Sequence, residues 1–194
     1  MDTQSYLTIA LLGLGLAASS GLNTFLPLLV LALAARMELF GVHLGGSFAW
    51  LSSNTALTIL AFATFVEIVA DKVPSVDHAL DVFGTFARPV AGALAAASVF
   101  YGTDPVYASV LGLIIGAPVA LGFHTAKAGA RLTSSAGTFG LLNPVLSFLE
   151  DMAALVMIFT ALLAPWLVPV FVVGFGFVLW KLVKRAKGKL AKTA

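Results

Sequence analysis

Residues 65–89 read FVEIVADKVPSVDHALDVFGTFARP and gather Glu67, Asp71, Lys72, Asp77, His78, Asp81 and Arg88 in a chain of which only 10% is charged. Glu67 and Asp71 are four positions apart near the end of an apolar run, so on a helix they share one face. A second acidic pair, Glu150 and Asp151, follows the start of the apolar run NPVLSFLEDMAAL. An ionised carboxylate at membrane depth costs at least about 2.5 kcal/mol on insertion scales, so each of these groups needs a partner or a role. Brought together, Glu67, Asp71, Glu150 and Asp151 would offer the oxygen ligands that suit Mg²⁺, Mn²⁺ or Ca²⁺, or would carry protons. The plainer reading makes them interfacial, with Glu67 paired to a neighbouring Arg or Lys.

A basic constellation stands in GFHTAKAGARLTSSAGTFG, where His124, Lys127 and Arg131 fall on one helical stripe among small residues that permit close packing. With Ser134, Ser135 and Thr138 beyond them, and Lys72 from the first motif, these groups suit an anion or a lipid phosphate. The alternative is an inner loop whose cations pair with the acids. His43 reads as solvated in an outer loop, and Asp77 and Asp81 flank His78 in an amphipathic segment. Three scattered histidines do not make a zinc site. Patterns of membrane phosphotransferases, intramembrane serine proteases and cation/proton exchangers each fail on spacing or on a missing partner, which leaves a protein with no expected catalytic residues.

The elements that must position these groups follow from composition. The chain has 194 residues, 60% of them hydrophobic, against about 25% charged in an ordinary soluble domain. Solid apolar blocks from residue 6 to residue 180 imply helices with internally satisfied backbones, not the alternating segments of a barrel. There are no cysteines, which excludes disulfides and thiolate metal sites. MDTQS lacks the positive start of a cleaved signal peptide, and nothing resembles a nucleic-acid surface. The reading is an all-α polytopic membrane protein forming one domain over 1–194, with a membrane bundle at 6–180 and a basic tail at 181–194.

A span needs about 20 residues to cross a ~30 Å core. The block 6–36 is too long for one straight span and is interrupted by SSGLNTFLP, where Gly21, Asn23 and Pro27 favour a break. Later spans are expected near 53–71, 88–102, 106–124, 143–164 and 166–184, about six in all, with the first kinked or split into a re-entrant pair. The tail holds six basic residues and no acid, so it is placed in the cytoplasm. The 71–88 loop, the 125–142 loop and the tail then carry ten of the eleven basic residues on that side. Six crossings would put the N-terminus there too, and a re-entrant first block would change that parity. Lys181, Lys184, Arg185, Lys187, Lys189 and Lys192 read as a topology anchor and anionic-lipid contact. Sliding GLNTFLPLLVLALAAR onto GAPVALGFHTAKAGAR matches Gly21, Leu26, Ala35 and Arg36 with Gly116, Leu121, Ala130 and Arg131. That weak match is what a 3+3 inverted repeat would leave, an arrangement found in secondary transporters.

The runs EIVADKVPSVDHALDVFGTFARPVAGAL and NPVLSFLEDMAALV resemble a bacterial integral membrane family designated domain of unknown function 4126. The resemblance covers roughly residues 6–180 and rests on Glu67, Asp71, Lys72, Pro74, Asp77, Arg88, Pro89, Asn143, Pro144, Glu150 and Asp151. It implies a small multi-pass inner-membrane protein and no particular activity. The expectation is therefore a bacterial inner-membrane transporter or channel with a polar site at Glu67, Asp71, Glu150 and Asp151. Lys72, His124, Lys127 and Arg131 would be counter-charges or anion contacts. No cofactor is expected beyond a divalent cation as an option, and the partners would be membrane lipids and a second copy in a homodimer. The alternatives are a protein that binds or flips a phosphate-bearing lipid and a structural membrane protein without substrate.

Overall fold

The computed structural model describes residues 3–138, 142–175, 177 and 181, all of them helical or in turns between helices. In chain order the helices are α1 (Thr3–Leu22), α2 (Leu26–Arg36), α3 (Asn54–Ala70), α4 (Pro74–Ser98), α5 (Pro105–Leu111), α6 (Ala117–Thr138), α7 (Asn143–Leu163) and α8 (Pro165–Phe175). A π-helical turn, Gly112–Gly116, joins α5 to α6 without a break. Among the described residues three helices are long and apolar enough to cross a membrane: Gln4–Leu22, Pro105–Leu132 and Asn143–Leu163. A fourth exists if Gly46–Ser52 and Asn54–Ala70, bent by 62° at Ser53, form one span. Large apolar side chains such as Phe62, Phe65, Phe86, Val90, Ile114 and Val170 lie exposed, the pattern of a lipid-facing surface rather than of a water-facing one.

At the centre stands α1, every residue of which from 15 to 22 is buried. Its sequence GLGLAASSGL is poor in propensity, since each glycine costs about 1 kcal/mol against alanine, and packing explains the choice. A Cβ on Gly13 would lie 3.3 Å from Ala96 Cα of α4, and one on Gly15 would lie 2.6 Å from Ala161 Cβ of α7. One on Gly21 would overlap the Ala120 carbonyl of α6. Three glycines thus admit three neighbours to a backbone distance that larger side chains forbid. Gly92 and Gly116 do the same for α4 against the π-turn, where each backbone occupies the space of the other's Cβ.

The chain direction alternates along this centre. Residues 40–43, Val99, Tyr101 and Pro165 surround one cavity together with Gln4, Ser5, Thr8 and Ile9, so the ends of α4 and α7 return to the level where α1 begins. The other end holds the turn between α3 and α4, the later part of α6 and the start of α7. The first apolar block is therefore the split form of the two envisaged: α1 runs down, the chain breaks at residues 23–25, and α2 runs back. In consequence Gln4 lies at the end opposite Asp71, so the N-terminus and the charged turn do not share a side.

Two expected loops are helical. The 71–88 loop is a short turn followed by α4 from Pro74, and the 125–142 loop is mostly α6, which continues to Thr138. Pro74 sits at the first helical position, where its fixed φ favours initiation and its missing N–H costs nothing. Arg88, Lys127 and Arg131 are buried and paired with acids between helices rather than in a loop, so the helices need no break to reach water.

Candidate functional site

The inward stripe of α3 is Ala56, Leu60, Thr64 and Glu67, with Asp71 one residue past its end, at the start of the turn into α4. Every other face of α3 in that region carries exposed apolar side chains such as Phe62, Phe65 and Val69. This places Glu67 against the break between α1 and α2. The Thr24 amide donates to both carboxylate oxygens at 2.9 Å, the Thr24 hydroxyl at 2.8 Å and the Phe25 amide at 3.2 Å. These amides open α2, where backbone N–H groups lack helical acceptors and the dipole favours an anion. Leu26 N–H, the next in line, is accepted by the Asn23 side chain at 3.1 Å, and Pro27 has no N–H to satisfy.

The last turn of α1 meets the opposite charge. Lys127 Nζ of α6 donates to the Leu22 carbonyl at 2.9 Å and to Asp71 Oδ2 at 2.8 Å, and lies 3.4 Å from Glu150. Arg131 joins Asp71 at 3.3 Å and grips Glu150 through Nε and Nη2. Burial pushes the Asp71 carboxyl up, but Lys127, then Arg131 and Arg88, outweigh it and hold Asp71 below its ordinary value. Lys72 reaches Asp151 at 3.0 Å, and Asp151 also accepts from Asn23 at 3.3 Å. Asn23 therefore ties α7 to the break in α1–α2 with one side chain.

Arg88 is the central cation on α4 and is 1% exposed. Its guanidinium lies 3.6 Å from Glu67 Oε1 and 3.9 Å from Asp81 Oδ1, and it bonds to His124 Nδ1. The other ring nitrogen of His124 meets the Thr85 hydroxyl at 3.1 Å. Gly84 leaves the guanidinium its place, since a Cβ there would stand 3.1 Å from Arg88 Nε.

All eight site residues expected from the sequence thus gather at one end of the bundle, but as ion pairs rather than as a ring of acids. Among the described residues there is no group of three or more His, Cys, Asp or Glu able to hold a metal. The basic stripe faces carboxylates: Lys127 and Arg131 are 2% and 3% exposed. Sequence reasoning passed over Arg88, Asn23, Thr24 and Asp81 as site residues. The signal available for two of them was the polar Asn-Thr step just before Pro27 in an otherwise apolar block. The side chains of Asp77, His78, Ser135 and Thr138, and the tail beyond Lys181, lie outside the described residues.

A family model matches residues 10–185. The chain belongs to the DUF4126 family, described as a domain of unknown function. Neither the curated proteins nor the solved structures compared with the chain give a match. Both motifs of the family resemblance, around Glu67–Pro89 and around Asn143–Asp151, supply partners to this one network.

Proposed function

We propose that this DUF4126 protein is a small inner-membrane carrier for an ion or small solute. The observation that supports this reading is the break at residues 23–25, both ends of which are occupied by charged side chains from other helices. Glu67 sits on the N-terminus of α2 and Lys127 on the last carbonyl of α1. Broken helices of this kind bind substrates and coupling ions in secondary transporters. Burying ion pairs costs desolvation that their attraction barely repays, so an apolar core would be at least as stable. A network of such size is then better explained by a role in switching than by stability. In this reading the charged end faces the cytoplasm together with the basic tail, an inverted arrangement relates the two halves of the bundle, and a homodimer surrounds the small interior.

The reading is tested by reconstitution into liposomes with a trapped pH dye, under imposed proton, sodium and potassium gradients and with small organic solutes added outside. Flux above that of protein-free vesicles, reduced in Asp71→Asn and Lys127→Met proteins that still purify as folded species, supports the carrier. Absence of any flux in the unmodified protein rejects it. An apolar groove of about 430 Å³ lined by Leu22, Phe123, Met152, Val156, Phe171 and Phe175 lies beside the charged end, and it keeps the lipid-phosphate alternative alive. Stabilisation by polyprenyl-phosphate or anionic lipid that is lost in Arg131→Gln would favour that alternative.

A further inference from the structure

The end of the bundle away from the ion pairs holds a cavity of about 360 Å³ that the carrier reading does not use. Its floor is aliphatic, made of the buried side chains of Ile9, Val42, Val99 and Leu162. The rim differs in kind. Gln4, Ser5 and Thr8 reach it from the first turns of α1, and the rings of Phe40, His43, Tyr101 and Trp166 reach it from three separate segments. No Asp, Glu, Lys or Arg is among the described lining.

The walls are held in place by contacts of their own. The Gly45 amide donates to the Ser98 carbonyl at 2.9 Å, which ties the loop of Phe40 and His43 to the end of α4. The His43 ring meets the Tyr101 ring edge to face, with centroids 5.4 Å apart. Phe40 takes a left-handed backbone at φ 58°, as Glu38 does at φ 53°. Outside glycine that conformation persists only where the surroundings impose it, and it collects at ligand clamps. Phe40 is exposed, so burial of its ring does not account for it.

We infer that this cavity is a binding site for a small uncharged amphiphile, an alcohol or amide with a compact aromatic or aliphatic body. Its volume lies at the small end of the ~300–1,000 Å³ of small-molecule sites, which are mostly apolar with a few placed polar groups. The body rests on the aliphatic floor among the rings. The head meets the Gln4 amide, which both donates and accepts, and the Trp166 N–H. The Thr8 hydroxyl already donates to the Gln4 carbonyl at 2.9 Å, so it meets the head as an acceptor. An ion in the same place would give up hydration with no counter-charge on the walls, and is rejected for that reason. Aromatic residues also gather at membrane interfaces without binding anything, but a belt of that kind selects neither size nor charge. The inference goes beyond the carrier reading and does not rest on it, because the ion network and this cavity share no residue.

The test uses the full-length protein in detergent and four probes of one shape. Two are neutral, 2-phenylethanol and phenylacetamide, and two are charged, phenylacetate and 2-phenylethylammonium. The chain has three tryptophans, so Trp50→Phe with Trp180→Phe leaves Trp166 as the reporter. At least one neutral probe should change its emission saturably and raise the unfolding midpoint. The charged probes should bind at least about tenfold more weakly. Gln4→Leu, on the exposed rim, should weaken the neutral probe roughly fivefold, the size of one neutral hydrogen bond. Thr8→Phe, which puts a ring into the cavity, should abolish binding; if that protein does not fold, Gln4→Leu carries the test. A response that rises without saturating, as partition into detergent gives, would overturn the inference. So would no response to either neutral probe, equal binding of all four, or binding indifferent to both substitutions. Tighter binding of the ammonium probe would overturn it in favour of an aromatic cage for an organic cation. Because binding is what is read, absence of flux in liposomes leaves this site in place, and failure of the probes leaves the carrier in place.

Discussion

At the end where α3 turns into α4, five carboxylates, four cations and a histidine are packed together. At the other end, residues 40–43, Tyr101 and Trp166 surround a cavity of about 360 Å³ whose lining includes Gln4, Ser5 and Thr8 but no charged side chain. One end is held by ion pairs, and the other surrounds a cavity. The backbone differs as well. The charged end joins its helices by the break at residues 23–25 and the short turn after Ala70, whereas the other end has Glu38 and Phe40 in the left-handed region at φ 53° and 58°. For residues other than glycine that conformation carries strain of about 1–3 kcal/mol. The contrast sets an end held by ion pairs against an end that surrounds a cavity.

The largest effect should come from removing a buried cation at the charged end. Lys127→Met leaves the Leu22 carbonyl without its donor and Asp71 and Glu150 with Arg131 alone, and should destabilise by about 3–5 kcal/mol, read as a lowered unfolding midpoint in detergent. If the loss were under about 1 kcal/mol, the two ends would not differ in the way described. Next in size is the helix contact that sets the centre. Gly21→Val should cost roughly 1–3 kcal/mol, because the added atoms meet the Ala120 backbone of α6. At the other end, Asp104 caps α5 by accepting from the amides of Val106 and Tyr107, and Asp104→Ala should cost about 1 kcal/mol.

Acid sharpens the same comparison. Asp71 is held below its ordinary value of 3.8, so its contribution is complete above that pH and disappears as the pH falls through the lowered value. Midpoints measured on descending pH should therefore fall less steeply, below the ordinary carboxylate range, in Asp71→Asn than in the unmodified protein. Equal slopes would place the acid sensitivity elsewhere. The smallest effect is expected for Lys72, whose side chain is 37% exposed. A double-mutant cycle on Lys72 and Asp151 should give a coupling of only about 0.2–1 kcal/mol.

Much of the charged end was legible before any coordinates. The four-residue step from Glu67 to Asp71 fixed a shared face, and the stripe of His124, Lys127 and Arg131 did the same for α6. SSGLNTFLP announced the break because Asn and Pro both disfavour helix continuation. The pairings were not legible, because Lys127 finds Asp71 and Arg88 finds Glu67 across separations that no local pattern encodes. Reading charged segments as loops followed from the same gap: the residues suggest that acids and cations pair, but not that the pairs lie buried between helices. Arg88 was placed at a span boundary for that reason, and it is instead among the most deeply buried side chains in the bundle.

The contact between Gly92 and the π-turn at Gly116 has a mechanical consequence. Side chains that interdigitate act as teeth, and moving one helix past another then requires many rotamers to change together. Along this seam the closest contacts are backbone on backbone, with Ala96 and Ala120 beside them. Side chains this short give the seam fewer teeth than longer ones would. Arg88 on α4 and His124 on α6 lie farther along the same pair of helices, so a slide of a few ångströms there would be felt first as a change in who holds the guanidinium.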